Sequence, residues 1–268
     1  MYNTIKQGSK GEDIKRLCNL LGIKERNLFD DDLVNSVKGY QKSHNLGADG
    51  IVGFNTWTSL LTEKKLRDQK VEEEDYNIYA GMLDIEPEVL KAVVKVETGG
   101  KSGFLASGKC SILFEAQYMY NLLKASGRND LQALLNKYPG IISKTWNKSL
   151  YKGGEREWNR LEVARTIDKE IADKSASWGM FQIMGANYSK CGCNSIQEFV
   201  SLMCRSEYDQ FILGIKYIKN TGLIPYLKNK SWETFAKKYN GPGYKENNYD
   251  TKLKNAYYQY RNESVKRK

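Results

Sequence analysis

One stretch constrains this chain more than any other. From Glu63 to Tyr76 the sequence reads Glu-Lys-Lys-Leu-Arg-Asp-Gln-Lys-Val-Glu-Glu-Glu-Asp-Tyr, with 4 basic and 6 acidic side chains. Such a run has too little apolar surface to join a core, so it reads as a linker, helical or extended. A chain of 268 residues is long enough for one large domain or two. The linker selects two and predicts three parts: a small domain over 1–62, the linker over 63–76 and a larger domain over 77–268.

Charge follows the same division. Residues 1–62 hold 8 basic and 7 acidic side chains, whereas residues 77–268 hold 30 and 19. The basic field of the larger part suits an anionic polymer, either nucleic acid or an acidic cell envelope. No nucleic-acid-binding motif accompanies it, so nucleic acid is not expected as a partner. The chain has a single histidine, His44. Two-histidine metal motifs are thereby excluded, and a Ser–His or Cys–His nucleophile would have to use that one residue. Five cysteines with no apolar leader at the N-terminus read as reduced thiols. The closest pair, Cys191 and Cys193, is not a Cys-x-x-Cys pair. No metal and no cofactor are expected. The longest charge-free stretch, Ser175–Ser189, is too short and polar to span a membrane. The chain is expected to be a monomer without stable membrane association.

The first part reads as a small helical bundle. Gly8-Ser-Lys-Gly11 makes a turn, and Ile14, Leu17, Leu20 and Leu21 follow at helical spacing. Leu33, Val37, Tyr40 and His44 suggest a second helix. After the turn Gly47-Ala-Asp-Gly50-Ile-Val-Gly53, Asn55 is placed to cap a short helix over Thr56–Leu61. This series, above all Asp49-Gly50-Ile51-Val52-Gly53 with Thr56-Trp57, resembles the type 1 peptidoglycan-binding domain from Ile5 to Leu61. The resemblance implies a three-helix module that docks on cell-wall polymer, with Asp49 and Trp57 in its wall-binding site.

In the larger part, Glu86-Pro87 opens a helix. Leu90, Val93, Val94 and Glu97 lie at i, i+3, i+4 and i+7, which is one helix face. Thr98-Gly99-Gly100 ends it. A glutamate on an apolar face at a helix C-terminus is pushed toward its neutral form by burial and by the helix dipole. That is the state a general acid needs. The competing reading pairs Glu97 with Lys101. Thr98–Ser102 looks like the tail of a Walker A loop, but Lys95 stands where that loop needs its first glycine, and a helix precedes it instead of a strand. Further on, Ser107–Glu115 reads as a turn and a short strand. Ser175–Asn187 is Gly-punctuated and aromatic, and Trp232–Asn240 is a helix stopped by Gly241-Pro242.

Taken in order, Val-Glu97-Thr-Gly-Gly, Ile-Leu-Phe-Glu115, Ser-Ala-Ser-Trp178-Gly-Met-Phe-Gln182-Ile and Phe-Ala-x-x-Tyr239-Asn240-Gly241 resemble the N-acetylmuramidase domain of phage endolysins, within the lysozyme-like superfamily. The match covers about Ile78 to Tyr260. It implies a mainly α protein: a three-helix bundle, a charged linker and a lysozyme-like α+β domain with a β-hairpin or small sheet. By that resemblance Glu97 is the acid that cleaves the β-1,4 bond between N-acetylmuramic acid and N-acetylglucosamine in peptidoglycan. Glu115 is the candidate second carboxylate, and Trp178, Gln182, Tyr239 and Asn240 line the sugar cleft. Ala116 and Gln117 stand where the family commonly carries Arg and His. Without a second carboxylate facing Glu97, a lytic transglycosylase giving 1,6-anhydro products is the alternative, and a non-catalytic wall-binding or virion protein is another. An endolysin of this kind is expected to be made in the host cytoplasm and to act on the wall.

Overall fold

A computed structural model describes residues 2–65, 70–100, 102–241, 245 and 248–266. Of the positions singled out above, linker residues Leu66–Gln69, Lys101 and Pro242 lie outside the described residues. The chain divides into two compact units, Met1–Pro87 and Glu88–Lys268.

The first unit holds α1 (Glu12–Leu21), α2 (Asp31–Ser43), α3 (Phe54–Lys65) and α4 (Glu73–Leu83). The apolar faces of the first three meet in a core of Ile14, Leu17, Phe29, Leu33, Val37, Trp57 and Leu60. Asp30 caps α2, accepting from Leu33 N at 2.9 Å. That helix ends at Ser43, so His44 is its C-cap and stacks on Tyr40 with ring centroids 3.9 Å apart. α3 is longer than the spacing predicts. Trp57 N bonds to Gly53 O at 2.9 Å, which places Asn55 inside the first turn and not at the cap. α4 begins within the charged stretch, where Glu73, Glu74 and Asp75 complement the positive end of the helix. Its Met82 packs against the core of the first unit, which is why that unit extends to Pro87.

Buried Gln41 organises the Gly/Asp turn. Its Nε2 lies 3.0 Å from Asp49 Oδ1, 2.9 Å from Ile51 O and 3.1 Å from Thr56 Oγ1, and its Oε1 accepts from Gly50 N at 2.9 Å. Gly50 has φ +77°, a left-handed conformation that a side chain would strain. The Asp-Gly-Ile-Val signature is therefore a turn latched onto α2.

The second unit is mostly helical around a small antiparallel sheet. α5 (Pro87–Thr98) leads to β1 (Ile112–Phe114), then α6 (Ala116–Ala125), α7 (Leu131–Lys137), α8 (Glu155–Arg165) and α9 (Lys169–Lys174). β2 (Ala176–Trp178) and β3 (Ile183–Met184) form a hairpin, in sheet order β1-β2-β3, with Ile112 opposite Trp178 and Phe114 opposite Ala176. α10 (Ile196–Met203), α11 (Glu207–Asn220), α12 (Ile224–Lys228), α13 (Trp232–Asn240) and α14 (Tyr249–Lys266) complete it. The core helix α11 buries Phe211, Ile215 and Gln210. At Gly214 an added Cβ would sit 2.4 Å from the Phe181 ring, so only glycine lets the hairpin close on α11. Gln210 fixes that contact by accepting from Met180 N at 2.7 Å and donating to Met203 O at 2.7 Å. The fold expected from the sequence, mainly helical with a small sheet, is the one observed. No helix among the described residues is long and apolar enough to cross a membrane.

Candidate active site

α5 buries Val89, Leu90, Val93 and Val94, and the same helix carries Glu97 in its last turn. The residue is half-buried, but its Oε1 is sealed from solvent and has no hydrogen-bond partner among the described residues. Burial raises the Glu97 pKa from 4.5 to about 8, and the Asn240 amide beside it opposes that shift only in part. The carboxyl is therefore mostly protonated at neutral pH.

The last turn of α13 meets this acid. Tyr239 is clamped by Phe235, stacked at 5.5 Å, and by Tyr217, edge-on at 5.8 Å. Burial holds the Tyr239 hydroxyl well above the usual phenol range, and the charge of Glu97 adds to this. Tyr239 OH and Asn240 Nδ2 are also buried without partners among the described residues. Of four such side-chain atoms, three belong to Glu97, Tyr239 and Asn240, and the fourth is Thr58 Oγ1 in the first unit. Buried polar atoms are normally paired, so the acid's own Oε1 and two neighbouring atoms lacking a well-formed bond stand out from the rest of the described residues. Tyr249, at the start of α14, is half-buried near the same acid; burial raises its pKa and the charge of Glu97 adds to the effect.

Glu115 belongs to a second group of side chains. It follows β1 directly, and its backbone N–H donates to Ser175 O at 2.9 Å. Tyr151 OH donates to Glu115 Oε2 at 2.7 Å, and Trp146 Nε1 donates to Tyr151 OH at 2.8 Å. Beneath the strand, the buried pair Glu157–Arg160, 2.7 Å apart, grips Phe114 at both backbone groups: its N–H donates to Glu157 at 3.1 Å and its O accepts from Arg160 at 2.9 Å. Burial alone would raise the Glu157 carboxyl. Backbone donors from Lys152, Gly153 and Phe114, with Arg160, outweigh it and hold the carboxyl below the usual range. The ion pair thus fixes the strand residue that precedes Glu115.

Gln182 sits exposed in the β2–β3 turn with φ +47°. Its Oε1 accepts from Ser177 Oγ at 2.9 Å and its Nε2 donates to Gly179 O at 2.8 Å, so its amide is oriented by the hairpin itself. Trp178 departs from expectation. It is 0% exposed, its Nε1 donates to Asp173 O at 3.0 Å, and its ring packs edge-on against Trp158 at 5.7 Å. It packs in the core beneath the sheet and does not present its ring at the surface. Trp57 is buried and Asp49 exposed, and both make structural contacts. Trp57 is 1% exposed with Nε1 donating to Asn3 O at 2.8 Å, and Asp49 Oδ1 accepts from Ile51 N at 2.8 Å within its own turn.

Sequence reasoning passed over Tyr249, Tyr151, Trp146 and the Glu157–Arg160 pair. Trp146 carried a readable signal, an indole alone in the polar run Ser143-Lys-Thr-Trp-Asn-Lys148. The others depend on long-range contacts. All five cysteines are free thiols, four of them buried, and no cluster among the described residues has the makings of a metal site.

Comparison with known proteins is consistent with this geometry. The family model for N-acetylmuramidase matches residues 86–261, and a model described as a peptidoglycan binding domain matches residues 14–60. The crystal structure of Burkholderia AP3 phage endolysin is 31% identical, with a TM-score of 0.66 covering 97% of this chain and 100% of that one. No curated protein matches in sequence. The muramidase model covers most of the chain's length, a peptidoglycan binding domain model matches ahead of it, and the chain therefore belongs to the N-acetylmuramidase family of peptidoglycan hydrolases.

Proposed function

We infer that the chain cleaves the β-1,4 bond between N-acetylmuramic acid and N-acetylglucosamine, with Glu97 as general acid. The observation that carries this is the Glu97 carboxyl held protonated at neutral pH beside the Asn240 amide and the buried Tyr239 hydroxyl, which has no partner among the described residues. Glu97 donates its proton to the leaving glycosidic oxygen. Tyr239, whose hydroxyl has no protein partner among the described residues, and Asn240, whose amide also leans on the acid, bond to the sugar's hydroxyl or acetamido oxygens and hold it against the acid. Gln182, presented by the hairpin turn, contacts the neighbouring sugar. Glu115 acts as the second carboxylate, activating water or stabilising the oxocarbenium-like transition state, with its orientation set by Tyr151 and by the ion pair under β1.

Residues 1–62 dock the enzyme on the wall, the charged stretch 63–76 connects the parts, and residues 77–268 perform the cleavage. The basic larger part favours anionic envelope polymers, with no nucleic acid partner and no obligate second copy. Synthesis in the host cytoplasm, with the wall as site of action, completes the reading. The test is product analysis of digested peptidoglycan. Wild type is expected to release reducing N-acetylmuramic acid ends, and Glu97→Gln to release none while still binding walls. Full cleavage by Glu97→Gln would overturn the assignment of the acid. Products ending in 1,6-anhydro groups would show attack by the muramic 6-hydroxyl in place of water.

A further inference from the structure

Trp146 has features the reading above does not use. It is 60% exposed, in a chain where Trp57 and Trp178 are fully buried. A singly exposed indole needs no explanation by itself; what distinguishes this one is that it is held in place. Nε1 donates to Tyr151 OH at 2.8 Å, and the Tyr151 ring meets it edge-on at 6.3 Å between centroids. The segment that carries it is tied to the first turn of α6: Ser143 N donates to Ala116 O at 3.2 Å, and Gln117 Nε2 donates to Lys144 O at 3.3 Å. These two contacts hold the Trp146 segment beside Glu115, which Tyr151 bonds directly.

We propose that Trp146 is a sugar-stacking platform, a glycan subsite for a β-1,4-linked amino sugar adjoining Glu115. The indole N–H is already committed to Tyr151, so what the platform offers a ligand is its apolar ring face. That surface suits the C–H face of a pyranose and not a charged or hydrogen-bonding group. Because the ring is held before binding, stacking costs little rotamer entropy. The proposal rests on the glycan-cleaving reading of the site.

The experiment compares wild type, Trp146→Ala and Trp146→Phe as full chains. Kinetics on solubilised peptidoglycan strands are paired with tryptophan fluorescence titration by the β-1,4-linked N-acetylglucosamine tetramer. Trp146→Ala is expected to raise KM about 3- to 10-fold, the effect of one aromatic contact, with kcat within about twofold. Trp146→Phe, which keeps a ring but loses the indole N–H, is expected to recover most of that loss. The tetramer is expected to shift wild-type fluorescence and to leave Trp146→Phe unchanged. An unaltered KM in Trp146→Ala would overturn the platform. So would a fall in kcat at constant KM with an altered pH profile, since Trp146 would then act through Tyr151 on Glu115. Failure of wild type to release any reducing or anhydro ends would sink the catalytic reading instead, and the fluorescence titration would still judge the subsite. Thermal melts confirm that both variants fold, as expected for an exposed side chain.

Discussion

Glu97 makes a prediction about stability that does not depend on any assay of activity. Its native pKa is about 8 against 4.5 for an unhindered glutamate. Below about pH 4.5 the carboxyl is neutral folded or unfolded, and it contributes no pH dependence. Between about 4.5 and 8 the unfolded chain releases the proton and the native chain keeps it. Stability therefore falls as pH rises, by about 1.4 kcal/mol per pH unit, and levels off above about 8. At pH 7 the accumulated penalty is about 2–3 kcal/mol, after allowing for the water that the outer part of this half-buried residue keeps. Glu97→Gln removes the ionisable group and so the penalty. For a unit of this size it should melt about 5–10 °C above wild type at pH 7. The gap should shrink steadily toward pH 4. An amide facing the Asn240 amide adds a steric and dipolar cost, but that cost does not vary with pH. The deciding quantity is thus the slope of the difference, read from circular dichroism melts of both proteins at pH 4, 5.5, 7 and 8.5. A difference that is flat with pH, or that grows toward acid, would refute the claim that Glu97 is held neutral by burial.

Two further outcomes follow from the geometry. Activity on peptidoglycan should be lost as pH rises through about 8, by about tenfold per unit beyond it, as the acid ionises; a rate that keeps climbing to pH 9.5 would point to another proton donor. Gln41→Ala should destabilise the first unit by about 2–4 kcal/mol, because it strips the partner from Gly50 N and leaves Ile51 O only the longer bond from Thr56 Oγ1 at 3.4 Å. The check is a lowered melting transition accompanied by weaker retention on purified walls.

How much of this was legible beforehand depends on whether a feature is local. The apolar face of α5 repeats over one helix, so Leu90, Val93, Val94 and Glu97 could be read as a set. The stop after Asn240 is equally local, since Gly241 takes φ +76°. Trp178 could not be placed the same way. In a three-residue strand every position is buried, and no alternation separates the face toward the cleft from the face toward the core. Asp49 and Trp57, the most distinctive residues of the first module, have turn-making and packing contacts, with Asp49 exposed and Trp57 buried. Tyr151 reaches Glu115 across 36 positions, and Glu157 reaches Phe114 across 43. Pairings of that kind are set by the path of the chain, which one sequence does not display.

The two units treat their polar groups differently, and the difference separates scaffold from chemistry. Gln41 in the first module is buried and fully engaged by a single turn, so it gives rigidity and keeps nothing in reserve for a ligand. The site around Glu97 is half-buried and incomplete: the Asn240 amide eases the acid only in part, and Glu97 Oε1 and Tyr239 OH are sealed from solvent without a partner among the described residues. Leaving such atoms unpaired costs stability, and a sequence selected for stability alone would replace Glu97 with an apolar residue on what is otherwise an apolar face. The retained deficit is consistent with a ligand that supplies the missing partners, and with a proton kept on the acid until that ligand arrives. If the deficit were merely a packing flaw, replacing Glu97 with methionine would stabilise the fold without changing the release of sugar ends. Under the catalytic reading, the same replacement stabilises the fold and abolishes that release.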